Sequence, residues 1–259
     1  TNTGGAIPNE PIVSTLAGTG TVGSLDGAVS NAQFYLPTVV TLDNQNNIIV
    51  VDRSNHKIRK ISNDETVSTI AGTGSIGSQN GMGNLATFNY PDGAIVDSQG
   101  NIFITDQSNH RIRKIDTNNQ VSTFAGSGIA GYQDGLGLDA KFYFPAAMAI
   151  DAIDNLYIAD YSNHRIRKID PNGLVSTIAG IGSPGAADGP VATAQFNGPT
   201  GLCFDNLGNL FVADYGNHKI RKMDTNGQVT TFAGEGIAGN IDGNGASARF
   251  NHPAVVSWD

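Results

Sequence analysis

The chain has 259 residues, 39% of them apolar and only 15% charged, with 33 glycines and a formal net charge of −8. That balance argues against a nucleic-acid binder that works by displacing counterions with clustered positive charge. No apolar run is long enough to cross a bilayer as a helix, which excludes membrane insertion of that kind. The abundance of Gly, Asn and Thr suits a turn-rich β protein. The single Cys203 can form no internal disulfide, and its setting in the apolar stretch "GLCFD" predicts a buried thiol.

In chain order, residues 1–10 ("TNTGGAIPNE") read as a linker. Residues 11–36 then match only the last strand and the long connection of a unit that recurs in full at 37–90, 91–144, 145–198 and 199–252. Residues 253–259 ("PAVVSWD") match only its first strand. The period is fixed by Pro37, Pro91, Pro145, Pro199 and Pro253, each 54 residues after the last.

The unit 91–144 illustrates the pattern. "DGAIVD" (92–97) and "NIFITD" (101–106) flank a Gly-Asn turn, a hairpin signal. "HRIRKID" (110–116) follows the short loop "QSN", and "QVSTFAG" (120–126) follows "TNN". Four consecutive antiparallel strands per repeat of this length are the blade of a β-propeller. The expected fold is therefore all-β: four complete four-stranded blades and a split one, all within 11–259. The chain ends supply the outermost and innermost strands of the split blade, and nothing supplies the middle two. A longer parent chain, a neighbouring chain or an irregular closure would each account for this. The stop just where the next hairpin would begin favours the longer chain.

The spacing Gly72-x-Gly74-x-x-Gly77 after a strand is that of a dinucleotide-binding loop. It recurs at Gly18, Gly126, Gly180 and Gly234, whereas a Rossmann fingerprint occurs once and opens a helix. The glycines therefore serve turns, and no cofactor is expected.

The stretches "NHKIRKI", "NHRIRKID" (twice) and "NHKIRKMD", each preceded by "VD", "TD" or "AD" a few residues earlier, resemble the NHL repeat. With "AGxGxxG…DG…A-x-F…P" added, the unit resembles the tandem NHL repeats of bacterial secreted and surface proteins, and the likeness covers 11–259. The resemblance implies a propeller and an extracellular or cell-surface location. It leaves the function open among binding scaffolds, RNA readers and a few lyases or lactonase-like enzymes.

Residues that repeat in every blade read as structural. Asp52/His56, Asp106/His110, Asp160/His164 and Asp214/His218 are expected to hydrogen-bond within each pair and tie the second strand to the third. Twelve of the fifteen Lys and Arg fall in the repeated basic strand, their heads reaching water or nearby carboxylates. Only Arg53, Lys141 and Arg249 are left over, too few for the basic face through which RNA-reading NHL domains work. The Asp-Gly pairs of the connections, with Asn80-Gly81 as the variant, read as turns rather than calcium loops, since one acid per loop supplies too few oxygens. Phe34, Phe88, Phe142, Phe196 and Phe250 read as plugs into the core.

Function is expected where the repeats differ. The loops between strands two and three share a face with the long connections, and carry Arg53, Gln107, Tyr161 and Tyr215 there. The connections add Tyr132, Glu235 and the "FYF" of 142–144. Exposed aromatics beside Arg, Gln and Glu suit a glycan or protein ligand. The expectation is a non-catalytic binding or adhesion scaffold with no metal and no catalytic constellation. The alternatives are a metal-dependent, lactonase-like hydrolase or lyase using non-repeated acids such as Glu10, Asp139, Asp154 or Glu235, and a structural subunit that self-associates through the incomplete blade.

Overall fold

A computed structural model describes residues 12–258. The linker reading of 1–10 lies outside the described residues. The first blade is built from β1 (Gly27–Ala28), β2 (Val40–Leu42), β3 (Ile48–Asp52), β4 (Lys57–Ile61) and β5 (Thr66–Ala71). The second has β6 (Gly81–Met82), β7 (Pro91–Val96), β8 (Ile102–Asp106), β9 (Arg111–Ile115) and β10 (Gln120–Ala125). The third has β11 (Gly135–Leu136), β12 (Pro145–Ile150), β13 (Leu156–Asp160), β14 (Arg165–Ile169) and β15 (Leu174–Ala179). The fourth has β16 (Gly189–Pro190), β17 (Pro199–Phe204), β18 (Leu210–Asp214), β19 (Lys219–Met223) and β20 (Gln228–Ala233). Each sheet is antiparallel, and each begins with its shortest strand at the outer edge, as in the order β1-β5-β4-β3-β2.

The blades are thus five-stranded, not four-stranded. The extra strand is two residues of the long connection: Gly27 and Ala28 pair with Val67 and Thr66, on the outer strand of the blade the chain is about to enter. Each connection therefore clasps the next blade's outer edge before crossing to its inner strand, so the sheet is closed by chain that precedes it. This covers an edge that would otherwise present unpaired N–H and C=O groups.

The inner strands β2, β7, β12 and β17 are neighbours in turn, which places them around a common axis. The second strands of the second and fourth blades are buried along their whole length. Burial on both faces is why "IFITD" and "LFVAD" read as unbroken apolar runs. The core lies between blades. Ile49, Val51, Ile58 and Phe88 meet Ala94, Ile104 and Ile115, and the same layer recurs between the second and third and the third and fourth blades. Each such Ile or Phe contributes about 1.5–3 kcal/mol by leaving water. Cys203, on β17, is half-buried rather than fully enclosed.

The two ends differ from the strands expected of them. Residues 12–16 form no ladder, and Ile12 and Val13 are almost fully exposed. Residues 253–258 form none either, although Ala254 and Val255 run against Gly201 of β17 and Trp258 stacks on Phe211 at 5.6 Å. In both places the partner strands of a complete blade are missing among the described residues, so backbone pairing has nothing to act on. Among the described residues, no helix is long and apolar enough to span a membrane.

Candidate functional site

The site rests on a repeated polar clamp at the end of each second strand. Asp106 accepts the backbone N–H of Asn89 (2.8 Å), the Asn109 amide (2.8 Å) and Arg113 Nη1 (2.7 Å). Asp52, Asp160 and Asp214 hold Asn55, Asn163, Asn217 and Arg59, Arg167, Arg221 in the same way. The four arginines are fully buried, so their heads do not reach water. Each also crosses to the preceding connection. Arg167 Nη2 meets Asp134 Oδ1 at 2.6 Å, and in the second blade Arg113 Nη2 meets Asn80 Oδ1 at 2.8 Å. The acid of the Asp-Gly pair is therefore the buried arginine's second partner. Burial, outweighing Asn109 and Arg113, raises the Asp106 carboxyl above its ordinary range, and burial lowers Arg113.

The glycine-rich loops belong to this clamp. Asn109 Nδ2 donates to the carbonyl of Gly77, the last glycine of the dinucleotide-like pattern, at 2.7 Å. The first glycine lies against the earlier turn between the second and third strands of its blade: a Cβ on Gly126 would stand 2.6 Å from the His110 carbonyl oxygen.

The histidines do not bond to their aspartates. Each sits in the left-handed region (φ 52–56°), where His is better tolerated than most residues. Its Nδ1 accepts a backbone N–H from the next blade: Tyr90 to His56 at 3.1 Å, Phe144 to His110 at 3.2 Å, Gly198 to His164 at 3.0 Å and His252 to His218 at 3.1 Å. Asp therefore fastens the preceding connection and His the following blade. Burial holds His56, His110 and His164 below the ordinary histidine range, and the Arg53 charge adds to this at His56.

On this frame stand the residues that vary. Arg53, Gln107, Tyr161 and Tyr215 each open the short 3-10 turn between the second and third strands of their blades. Arg53 Nη2 donates to Gln107 Oε1 at 2.8 Å and its head lies over the Tyr90 ring at 5.2 Å. Tyr161 and Tyr215 meet edge to face at 6.4 Å, and Tyr215 packs on His252 at 4.5 Å. Between these groups, Tyr143 and Phe144 stack at 5.1 Å. Gly198 occupies the position of Tyr90 and Phe144 in the next blade, and the Tyr161 ring fills the space a side chain there would need. The result is an arc of aromatic and planar polar side chains on one face of the propeller.

Tyr132 and Glu235 are not part of the arc. Tyr132 lies under the Arg165 guanidinium at 3.7 Å with its hydroxyl 3.2 Å from Thr177 Oγ1, on the outer strand. Glu235 pairs with Arg249 at 2.6 Å. Conversely, two arc residues escape a reading of the loops alone, Tyr90 and Asp92. Asp92 Oδ1 is 3.3 Å from Arg53 Nε, and burial raises its carboxyl despite that charge. The signal was there in the repeat register, since the corresponding positions hold Thr38, Ala146, Thr200 and Ala254. Of the non-repeated acids named from sequence, Asp154 accepts from Ser98 of the neighbouring blade and Asp139 sits on an exposed turn, while Glu10 lies outside the described residues. Among the described residues, no three His, Cys, Asp or Glu side chains converge on one point.

The NHL repeat family matches residues 88–115, 142–169 and 196–223. The chain is 37% identical over 134 residues to NHL repeat-containing protein 2 of Homo sapiens, which covers 51% of this chain and 18% of that protein. The chain thus spans about a fifth of that relative's length. An auxiliary nutrient binding protein from Bacteroides ovatus shares the fold with a TM-score of 0.59 at 17% identity, over 95% of this chain and 71% of its own. Virginiamycin B lyase from Staphylococcus aureus does so with a TM-score of 0.54 at 17% identity, over 76% of this chain and 55% of its own. Asp, Asn, His and Arg, repeated through one clamp in blades around one axis, mark this chain as a β-propeller that carries NHL repeats at 88–115, 142–169 and 196–223.

Proposed function

We propose that the chain is a non-catalytic binding module of a bacterial surface or secreted protein, and that the arc from Arg53 to Tyr215 holds its ligand. The observation that carries this is the contrast within one register: the clamp is the same in every blade, whereas the residues it lifts to the face are Arg53, Gln107, Tyr161 and Tyr215. A rigid scaffold with variable tips is how β folds present binding residues. Rings at Tyr90, Tyr143, Tyr161 and Tyr215, separated by Arg53, Gln107 and Asp92, suit a glycan, whose C–H faces stack on aromatics and whose hydroxyls bond to planar polar groups. The fold is shared with nutrient-binding proteins and with lyases, so it supports ligand binding without deciding the chemistry. A glycan array probed with the labelled chain tests the reading, and the expected result is retention of a defined family of sugars.

The hydrolase or lyase alternative is favoured by a single feature, the non-repeated Asp92 held beside Arg53. It is tested by thermal unfolding in excess calcium and again in EDTA. A metal bound only to the folded state raises the midpoint by an amount set by RT ln(1 + [L]/Kd). The binding-module reading expects superimposable curves, and a shift of many degrees would transfer the case to a metal-dependent enzyme.

A further inference from the structure

One acid of the face breaks a rule that the others keep. Among the described residues, every other aspartate that is buried or half-buried accepts hydrogen bonds at its carboxylate. Asp92 accepts none, although its side chain is only 24% exposed. Its one polar neighbour is Arg53 Nε at 3.3 Å, and that N–H is buried without a hydrogen-bond partner. Polar groups withdrawn from water and left unpaired are costly, so an exception in an otherwise satisfied fold calls for a reason. Arg53 is fixed on three sides: Nη2 donates to Gln107 Oε1 at 2.8 Å, the head lies over the Tyr90 ring at 5.2 Å, and Nε faces Asp92. Nη1 is left over and, unlike Nε, is open to the face. The guanidinium comes from the first blade and Asp92 from β7 of the second, so the pair spans two blades. Thr38, Ala146 and Thr200 stand in the register of Asp92, so the fold needs no acid there.

We propose that Arg53 and Asp92 form the subsite that selects the ligand of the arc, and that it takes two neighbouring uncharged hydroxyls. One hydroxyl accepts from Arg53 Nη1, and the other donates to the Asp92 carboxylate. With the arc binding a glycan, as proposed above and on which this rests, the class of sugar follows: neutral sugars with adjacent free hydroxyls, not uronic acids or sulfated sugars. An arginine without a partner would draw a carboxylate or sulfate into a two-pronged contact. Here Asp92 offsets the charge of Arg53, so an incoming anion would meet a like charge beside the cation it seeks. A hydroxyl is both donor and acceptor, so a neighbouring pair satisfies the carboxylate and the open guanidinium nitrogen together. Gln107 and Tyr90 hold the guanidinium in place before a ligand arrives, so little side-chain freedom is lost on binding.

The test is a glycan array that carries neutral sugars beside their uronic and sulfated counterparts, probed with the wild type, Asp92→Ala and Asp92→Asn. Ala is what the third blade holds at this position and Asn keeps the shape of Asp92, and far-UV circular dichroism checks that both variants keep the β signal. The wild type is expected to retain neutral sugars and to leave their acidic counterparts unbound. Asp92→Ala should bind the neutral sugars about tenfold more weakly and begin to retain the acidic ones, through the uncompensated charge of Arg53. Asp92→Asn, which removes the charge alone, should admit acidic sugars too. A wild type that prefers acidic sugars, or variants that keep the wild-type profile, overturns the subsite and leaves the arc standing. Loss of every sugar by both folded variants, with no gain of acidic ones, overturns the charge selection. No retained sugar of any kind with the wild type overturns the arc and the subsite together.

Discussion

Arg113 and Asp106 show how much of the fold depends on charges taken out of water. Neither side chain is exposed, and they meet at 2.7 Å. Removing one partner of a buried pair strands the other charge, a loss of about 3–5 kcal/mol. Arg113→Ala should lose that much by urea unfolding. Lys114→Ala, its half-exposed neighbour on β9, should lose under about 1 kcal/mol, and equal losses would show that the clamp is not what matters. The histidines give a second test, through pH. A ring held below its unfolded value of 6.5 keeps its full stabilising effect above that pH and loses it as pH falls toward the folded value. The melting temperature should therefore drop between about pH 7.5 and pH 5.5, and His110→Asn, which tolerates the left-handed backbone without titrating, should flatten the slope. A midpoint that holds or rises on acidification contradicts this. At this scale the sequence showed which residues repeat but not whom they touch. Asp52 and His56 are adjacent in the motif, yet His56 reaches Tyr90, 34 residues on, and Asp52 takes the N–H of Tyr35, 17 residues back.

Among the elements, the four main strands of each blade were legible because "IFITD" and "RIRKI" carry unambiguous apolar patterning and are bounded by turn residues. The clasping strand was not, since two residues such as Gly81–Met82 have no periodicity to detect. Their pairing is decided by β10, a strand of the same blade that lies some forty residues further along the chain. The inner strands are set by close approach around the axis. A Cβ on Gly201 would stand 2.7 Å from both the carbonyl oxygen of Ala254 and Cα of Val255. Gly201→Ala should therefore cost about 1–3 kcal/mol through overpacking, read from the denaturation midpoint. An unchanged midpoint would mean that 253–258 does not hold its place beside β17.

For the whole molecule, the period of 54 residues fixes the architecture, and the proposed function rests on departures from it. The register brought Arg53, Gln107, Tyr161 and Tyr215 to one face, as the shared turn position required. It could not place Tyr132 and Glu235, whose positions depend on how each connection folds back on Arg165 and Arg249. Asp92 and Tyr90 were hidden for the opposite reason: they lie where an inner strand begins, a place that reads as scaffold. This division gives the account its most direct test, a glycan array repeated with Arg53→Ala, Tyr161→Ala, Tyr132→Ala and Glu235→Ala. The arc reading expects the bound signal to fall at least tenfold, about 1.4 kcal/mol, for the first two and to persist for the last two. No bound sugar with the wild type, or equal signals from all four variants, would contradict it.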